Sequence, residues 1–124
     1  MDASTYFRIE KMSPQLQVTD IERSIAFYTK ELGFAVEFRY EDFYAGIIKD
    51  GCSIHLKATW HPVEERKNNQ DLDLLFSVGE IESVYEEIGK KSVEITQTLR
   101  SMPYGKEFYI ADPDGHIIAF FAEG

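Results

Sequence analysis

The sequence predicts an α+β fold of two tandem βαβββ modules forming a curved mixed sheet around a cleft. Three observations predict it. A period-two apolar alternation, then a helical apolar face, then three short extended runs occur in that order twice within 124 residues. The second occurrence keeps nearly one offset from the first: Val18, Asp20, Ile21 and Glu22 lie 60 positions ahead of Val78, Glu80, Ile81 and Glu82, and Asp50–Gly51 lie 64 positions ahead of Asp114–Gly115. Each half also ends its last strand pair on an Asp-Gly turn, a strong short-range hairpin signal. One half alone would bury a single face of its sheet and be marginal, whereas two halves side by side can curl into a shared cleft.

The elements follow in order. Leu16 and Val18 alternate with Gln15 and Gln17 as a first strand, and Asp20 stands where a helix N-cap belongs. Ile21, Ile25, Tyr28 and Leu32 line one helical face, which Gly33 stops. Extended runs Ala35–Tyr40, Tyr44–Lys49 and Ser53–Ala58 come next, the last two joined at Asp50 and Gly51. From Trp60 to Gln70 the chain holds Pro62 and a polar run with neither period, and reads as a linker. Leu72, Leu74, Phe76 and Val78 then alternate, Glu80 opens a helix carrying Ile81, Val84, Tyr85 and Ile88, and Gly89 ends it. Strands over Val93–Thr98, Glu107–Ala111 and His116–Ala122 complete the second half, with Asp112–Gly115 as the final turn. The organisation is one domain over 1–124, with module one from about 13 to 58, a linker from about 60 to 70 and module two from about 71 to 122.

With 13 Lys+Arg against 22 Asp+Glu, the net charge of −9 repels phosphate backbones and anionic bilayers, so neither nucleic acid nor membrane is an expected partner. The same field attracts cations. The longest apolar run, Ile117–Ala122, is far short of a bilayer span. Met1–Met12 shows no basic start followed by an apolar core, so a cytoplasmic location is expected. The single cysteine, Cys52, cannot form an internal disulfide and reads as a small buried strand residue.

The run from Asp20 to Tyr28, followed by Leu32-Gly33-Phe34 and later by Asp112-Pro113-Asp114-Gly115, resembles the vicinal oxygen chelate superfamily, which holds glyoxalases, extradiol dioxygenases and bleomycin-resistance proteins. Asp42–Gly46, Ile54–Leu56, Met102–Phe108 and Ala119–Gly124 are similar to the bleomycin-resistance proteins in particular. That resemblance implies a homodimer that sequesters a cationic, flat antibiotic such as bleomycin in the cytoplasm without catalysing a reaction. Where those proteins place an indole, this chain has Tyr104, which can still stack.

Metal-using members of the superfamily carry four ligands, two per module, and the resemblance puts Ser13, His55, Asp73 and Ala119 at those positions. Only His55 and Asp73 are strong donors, one or two fewer than a stable divalent site needs, so no cofactor is expected. The alternative is a metal-dependent lyase, isomerase or dioxygenase that uses these two. No glycine-rich phosphate loop, nucleophile elbow or paired Cys/His motif appears. His61 and His116 read as solvated loop or strand-edge residues. His55 shares its strand face with Ser53 and Lys57, opposite Ile54 and Leu56, and the implied fold sends that polar face into the cleft. Phe38 and Tyr104 occupy the positions that sandwich a planar ligand in the resembling proteins, although Phe34, Val36 and Phe38 also alternate as an ordinary core face would. Trp60 can cap the groove or anchor packing. Among Glu37, Glu41, Asp42, Asp73 and Glu107, Asp73 is the foremost carboxylate for a cationic ligand. The apolar-containing arm Tyr6, Phe7 and Ile9 is available for pairing between subunits.

Overall fold

The computed structural model describes residues 6–59 and 71–124. The expected linker, with Trp60 and His61, lies outside the described residues. Among the described residues, eight strands and two α-helices follow the doubled order: β1 (Gln15–Val18), α1 (Ile21–Ala26), β2 (Ala35–Tyr40), β3 (Tyr44–Lys49), β4 (Cys52–Ala58), β5 (Leu74–Ser77), α2 (Ile81–Gly89), β6 (Glu94–Met102), β7 (Gly105–Ala111) and β8 (Ile117–Glu123). Each module forms its own four-stranded mixed sheet, β1-β4-β3-β2 and β5-β8-β7-β6, in which the first strand runs parallel to the last and the others pair antiparallel. The sixth strand is longer than the sequence predicts and absorbs Leu99–Met102, leaving Pro103 and Tyr104 as a tight turn.

Local chemistry accounts for the elements. Asp20 caps α1, its Oδ1 accepting the Arg23 N–H at 3.2 Å. Beyond Ala26 the helix widens into a π-type turn over Phe27–Glu31, where the Thr29 hydroxyl donates to the Ile25 carbonyl at 2.8 Å. The repeat keeps the helix start but not its cap: Glu80 is left-handed (φ 52°) and makes no side-chain cap bond. α2 therefore depends on packing, with Ile81 and Ile88 buried and Val84 and Tyr85 half-buried. Asp50 and Gly51 both have positive φ, 52° and 79°, the mirror-image turn that matches strand twist.

All four predicted residues of the first helical face, Ile21, Ile25, Tyr28 and Leu32, are buried, and they join Leu16, Val18, Ile47, Ile54 and Leu56 in one core with Ile81, Ile88, Phe108, Ile110, Ile118 and Phe120 of module two. Ring contacts carry the core across the modules: Phe34 lies 6.1 Å from Phe76, which lies 5.3 Å from Phe120. The helix side of each sheet thus faces inward to a shared core, and the opposite face of each sheet is turned away from it. Among the described residues no helix is long and apolar enough to cross a membrane.

A polar clasp closes this core at one end. Asp114 Oδ1 accepts from the Thr19 N–H (3.2 Å), the Thr19 hydroxyl (2.7 Å) and Arg23 (3.2 Å), while Ser24 approaches Oδ2 at 3.4 Å. Asp112 Oδ2 accepts the buried Tyr28 hydroxyl at 2.8 Å, and its Oδ1 accepts the backbone N–H groups of Asp114 and His116, each at 2.9 Å. His116 is no solvated loop residue. Its Nε2 lies 2.7 Å from the Gln17 carbonyl, its side chain is 12% exposed, and it ties β1 to the module-two turn. Cys52 is exposed rather than buried, because β4 begins there, beside the hairpin turn.

Burial pushes the Asp112 carboxyl above the ordinary aspartate range, outweighing the bonds that favour its charged form. A carboxyl raised in the folded state supplies stability that is full below its unfolded value and is lost as pH rises through the folded one. Asp112→Asn, which keeps an acceptor and has no charge, should therefore remove that loss from a plot of urea midpoint against pH. Asp112→Ala, which orphans Tyr28 and two N–H groups, should cost about 3 kcal/mol by the same measurement.

Candidate functional site

The outward face of the first sheet is set by strand register. Gly46 pairs with His55 and Tyr44 with Lys57 between β3 and β4, and Gln15 pairs with His55 between β1 and β4. Phe38 joins this face through a bulge: Val36 pairs with Ile47 but Phe38 with Gly46, so the register shift at Glu37 puts Val36 and Phe38 on opposite faces. Phe38 is accordingly not part of the core that holds Phe34. Its ring lies directly on Gly46, where a Cβ would meet the ring at 2.2 Å, so only glycine admits it. Around it, Tyr44 stacks at 6.0 Å, His55 stands edge-on at 5.1 Å and Tyr40 tilts at 5.7 Å, while Phe43 stacks on Tyr40 at 6.5 Å. The result is an aromatic platform of four rings beside one imidazole.

Under the rings lies a polar relay. Gln15 Nε2 donates to the Tyr44 hydroxyl at 3.1 Å, and that hydroxyl lies 2.8 Å from His55 Nδ1. The far nitrogen, His55 Nε2, is buried and has no hydrogen-bond partner, and the same is true of Ser13 Oγ.

The outward face of the second sheet is built differently. Tyr109, Ala111, Ile117 and Ala119 form a small buried apolar floor. Above it Glu107, 5% exposed, receives Arg100 Nε and Nη2 at 2.9 and 2.6 Å, the Tyr104 hydroxyl at 2.7 Å and the Tyr109 hydroxyl at 3.0 Å. Burial pushes the Glu107 carboxyl up, but the bonds from Tyr104, Arg100 and Tyr109 outweigh it and the net direction is down. The Tyr104 phenol moves up because it donates to that carboxylate. Both tyrosine hydroxyls and two of the Arg100 nitrogens donate to Glu107, whose charge Arg100 compensates, while Arg100 Nη1 donates to Gln97 Oε1 at 3.2 Å.

Of the residues singled out from sequence, Phe38 and His55 come together on the first face, as strand parity at His55 predicts. Tyr104 sits half-exposed on the β6–β7 turn of the second sheet, its ring 5.7 Å from that of Phe121, and does not face Phe38 within one chain. Asp73 precedes β5, with Oδ2 accepting the Ile117 N–H at 2.9 Å and lying 3.7 Å from His116 Nδ1. Trp60 lies outside the described residues. Tyr44, Gln15 and Gly46 belong to the site and were missed as functional residues. The signal in the sequence is the i, i+2 spacing of Phe38 and Tyr40, with Tyr44 four residues further on across the turn between two strands.

As a metal centre the four family positions offer a hydroxyl (Ser13), an imidazole (His55), a carboxylate already holding a backbone N–H (Asp73) and a methyl (Ala119). However copies of the chain are arranged, that set falls short of three strong donors. Among the described residues no group of three or more His, Cys, Asp or Glu is placed to hold a metal ion.

Comparison with solved structures places this architecture. The bleomycin-binding protein from bleomycin-producing Streptomyces verticillus, complexed with copper(II)-bleomycin, superposes with a TM-score of 0.72 at 21% identity, covering 95% of this chain and 99% of its own. TnmS3, an antibiotic binding protein from Streptomyces sp. CB03234, gives 0.73 at 18% identity over 96% and 100%. A virulence protein from Salmonella typhimurium gives 0.67 at 26% identity over 95% and 100%. No curated protein sequence matches the chain. The family model described as Glyoxalase/Bleomycin resistance protein/Dioxygenase superfamily matches residues 8–120, nearly the whole chain, and the chain belongs to that superfamily.

Proposed function

We propose that this protein binds and sequesters a flat, cationic small molecule, without a metal and without catalysis, and that bleomycin is the first ligand to test. The observation that carries the reading is the platform of Phe38, Tyr40 and Tyr44 beside His55, an outward aromatic surface built on Gly46. Stacking rings with one oriented polar group are what a planar ligand requires. A net charge of −9 favours a cation in the surrounding field, although Arg39 pairs with Asp42 and Glu22, and Asp73 and Glu107 are engaged within the fold. The short donor set at Ser13, His55, Asp73 and Ala119 supports the metal-free part of the reading. Two structural relatives, the bleomycin-binding protein and the antibiotic binding protein TnmS3, point to the same class.

The protein acts as a homodimer in this reading. Phe38 and Tyr104 occupy outward faces of different sheets, so they can flank one ligand only if the first sheet of one copy meets the second sheet of another. The arm supports such pairing, since Tyr6, Phe7, Ile9 and Met12 are all more than two-thirds exposed in the single chain.

Thermal-shift titration with metal-free and copper-loaded bleomycin should show stabilisation by both, about 2.7 kcal/mol at a hundredfold excess over Kd. No shift with either form would remove the antibiotic assignment. Stabilisation by nickel, zinc, manganese or iron alone would overturn the metal-free reading in favour of a metal-dependent lyase, isomerase or dioxygenase. Phe38→Ala should weaken bleomycin binding about tenfold, or ~1.4 kcal/mol, by isothermal calorimetry. Gly46→Val should do the same by expelling the Phe38 ring, so an unchanged affinity in both would move the ligand off this face.

A further inference from the structure

We propose that Gln15 and Tyr44 lock His55 in the tautomer that carries its proton on Nε2, so that this face offers a hydrogen-bond donor to an acceptor oxygen of the bound molecule. The relay fixes the proton. The Tyr44 hydroxyl accepts from Gln15 at 3.1 Å and so keeps its own proton to give, and the atom within reach at 2.8 Å is His55 Nδ1. A ring nitrogen that accepts is bare, and a neutral imidazole with a bare Nδ1 holds its proton on Nε2. The same tautomer closes Nε2 to a metal, which would need that nitrogen's lone pair.

The Nε2–H has nowhere to donate. Among the described residues it is buried and unpartnered, a state that a native fold keeps where something else completes the bond. The imidazole is held rather than loose: the His55 backbone N–H donates to Pro14 at 2.9 Å, and its strand is central, paired with both β1 and β3. Phe38 is the half-buried ring packed edge-on against it at 5.1 Å, so the donor lies beside the ring on which a flat ligand would stack. The ligand class sharpens accordingly to a planar molecule with a carbonyl, amide or carboxylate oxygen beside its flat part. Gln15 and Tyr44 are positioning residues, acting through His55. The ligand half of this inference rests on the binding proposed above; the tautomer does not.

Long-range proton–nitrogen correlation spectra of the 15N-labelled full chain, at a pH well above the imidazole range, report both His55 ring nitrogens directly. The expected pattern is a protonated Nε2 and a bare Nδ1, relaxing toward a mixture in Tyr44→Phe. A bare Nε2 with a protonated Nδ1, as would follow if the Gln15 amide were turned over so that Tyr44 donates to it, overturns the assignment. Zinc chloride should leave both nitrogen signals in place, and a zinc-dependent shift of Nε2 overturns it as well. Metal-free bleomycin should move the Hε2 resonance. Binding that leaves Hε2 unmoved overturns the donor role, whereas the expected tautomer with no bleomycin binding supports the relay and removes only the proposed ligand.

Discussion

Everything outward-facing in this protein depends on one inward clasp, the meeting of the Asp112-Pro113-Asp114-Gly115 turn with the start of α1. The Asp114 side chain is 2% exposed and carries a charge into the seam between modules, where Thr19, Arg23 and Ser24 satisfy it. A buried carboxylate is tolerated only when its partners are in place, so the turn and the helix must find each other or pay the desolvation of an uncompensated charge. Beside it the Tyr28–Asp112 bond passes through the core itself. Because the clasp joins helix side to helix side, it decides which face of each sheet is spent on the core and which is left for a ligand.

The duplication is faithful in backbone plan and divergent in chemistry. Asp50–Gly51 occupies the place of Asp114–Gly115 one module earlier, yet Asp50 is solvent-exposed and pairs with its neighbour Lys49. Asp20 caps its helix and Glu80 does not. The two outward faces diverge in the same way. The second holds a buried Glu107 with its donors around it. The first is aromatic, half-covered and left with an orphan nitrogen. A ligand gains most from the face that has something left to satisfy, which is why the binding reading centres on module one.

Fold and chemistry are separate questions in this scaffold. The superfamily's scaffold serves unrelated reactions, so membership alone says nothing about which one runs here. The proposal of metal-free binding draws on the donor set: one imidazole and one carboxylate already holding a backbone N–H fall short of the three strong donors a Lewis-acid centre usually has. The same imidazole is well suited to orienting a neutral or cationic planar guest.

The sequence by itself determined the elements and their doubling. Helical faces, Asp-Gly turns and strand parity arise from backbone sterics acting over a few residues, and they are legible wherever local preference and global fold agree. The α1 core face and the placement of His55 on the sheet face opposite Ile54 and Leu56 were readable for that reason. Only the tertiary structure decided the rest. The alternation of Phe34, Val36 and Phe38 looked like one face until pairing with β3 inserted a bulge at Glu37 and turned Phe38 outward. His116 became a bridge because Gln17, 99 positions away, brought a carbonyl to it. Phe38 and Tyr104 ended on different faces because the clasp oriented both sheets inward. Each of these depends on which distant segment becomes a neighbour, and no local periodicity carries that information.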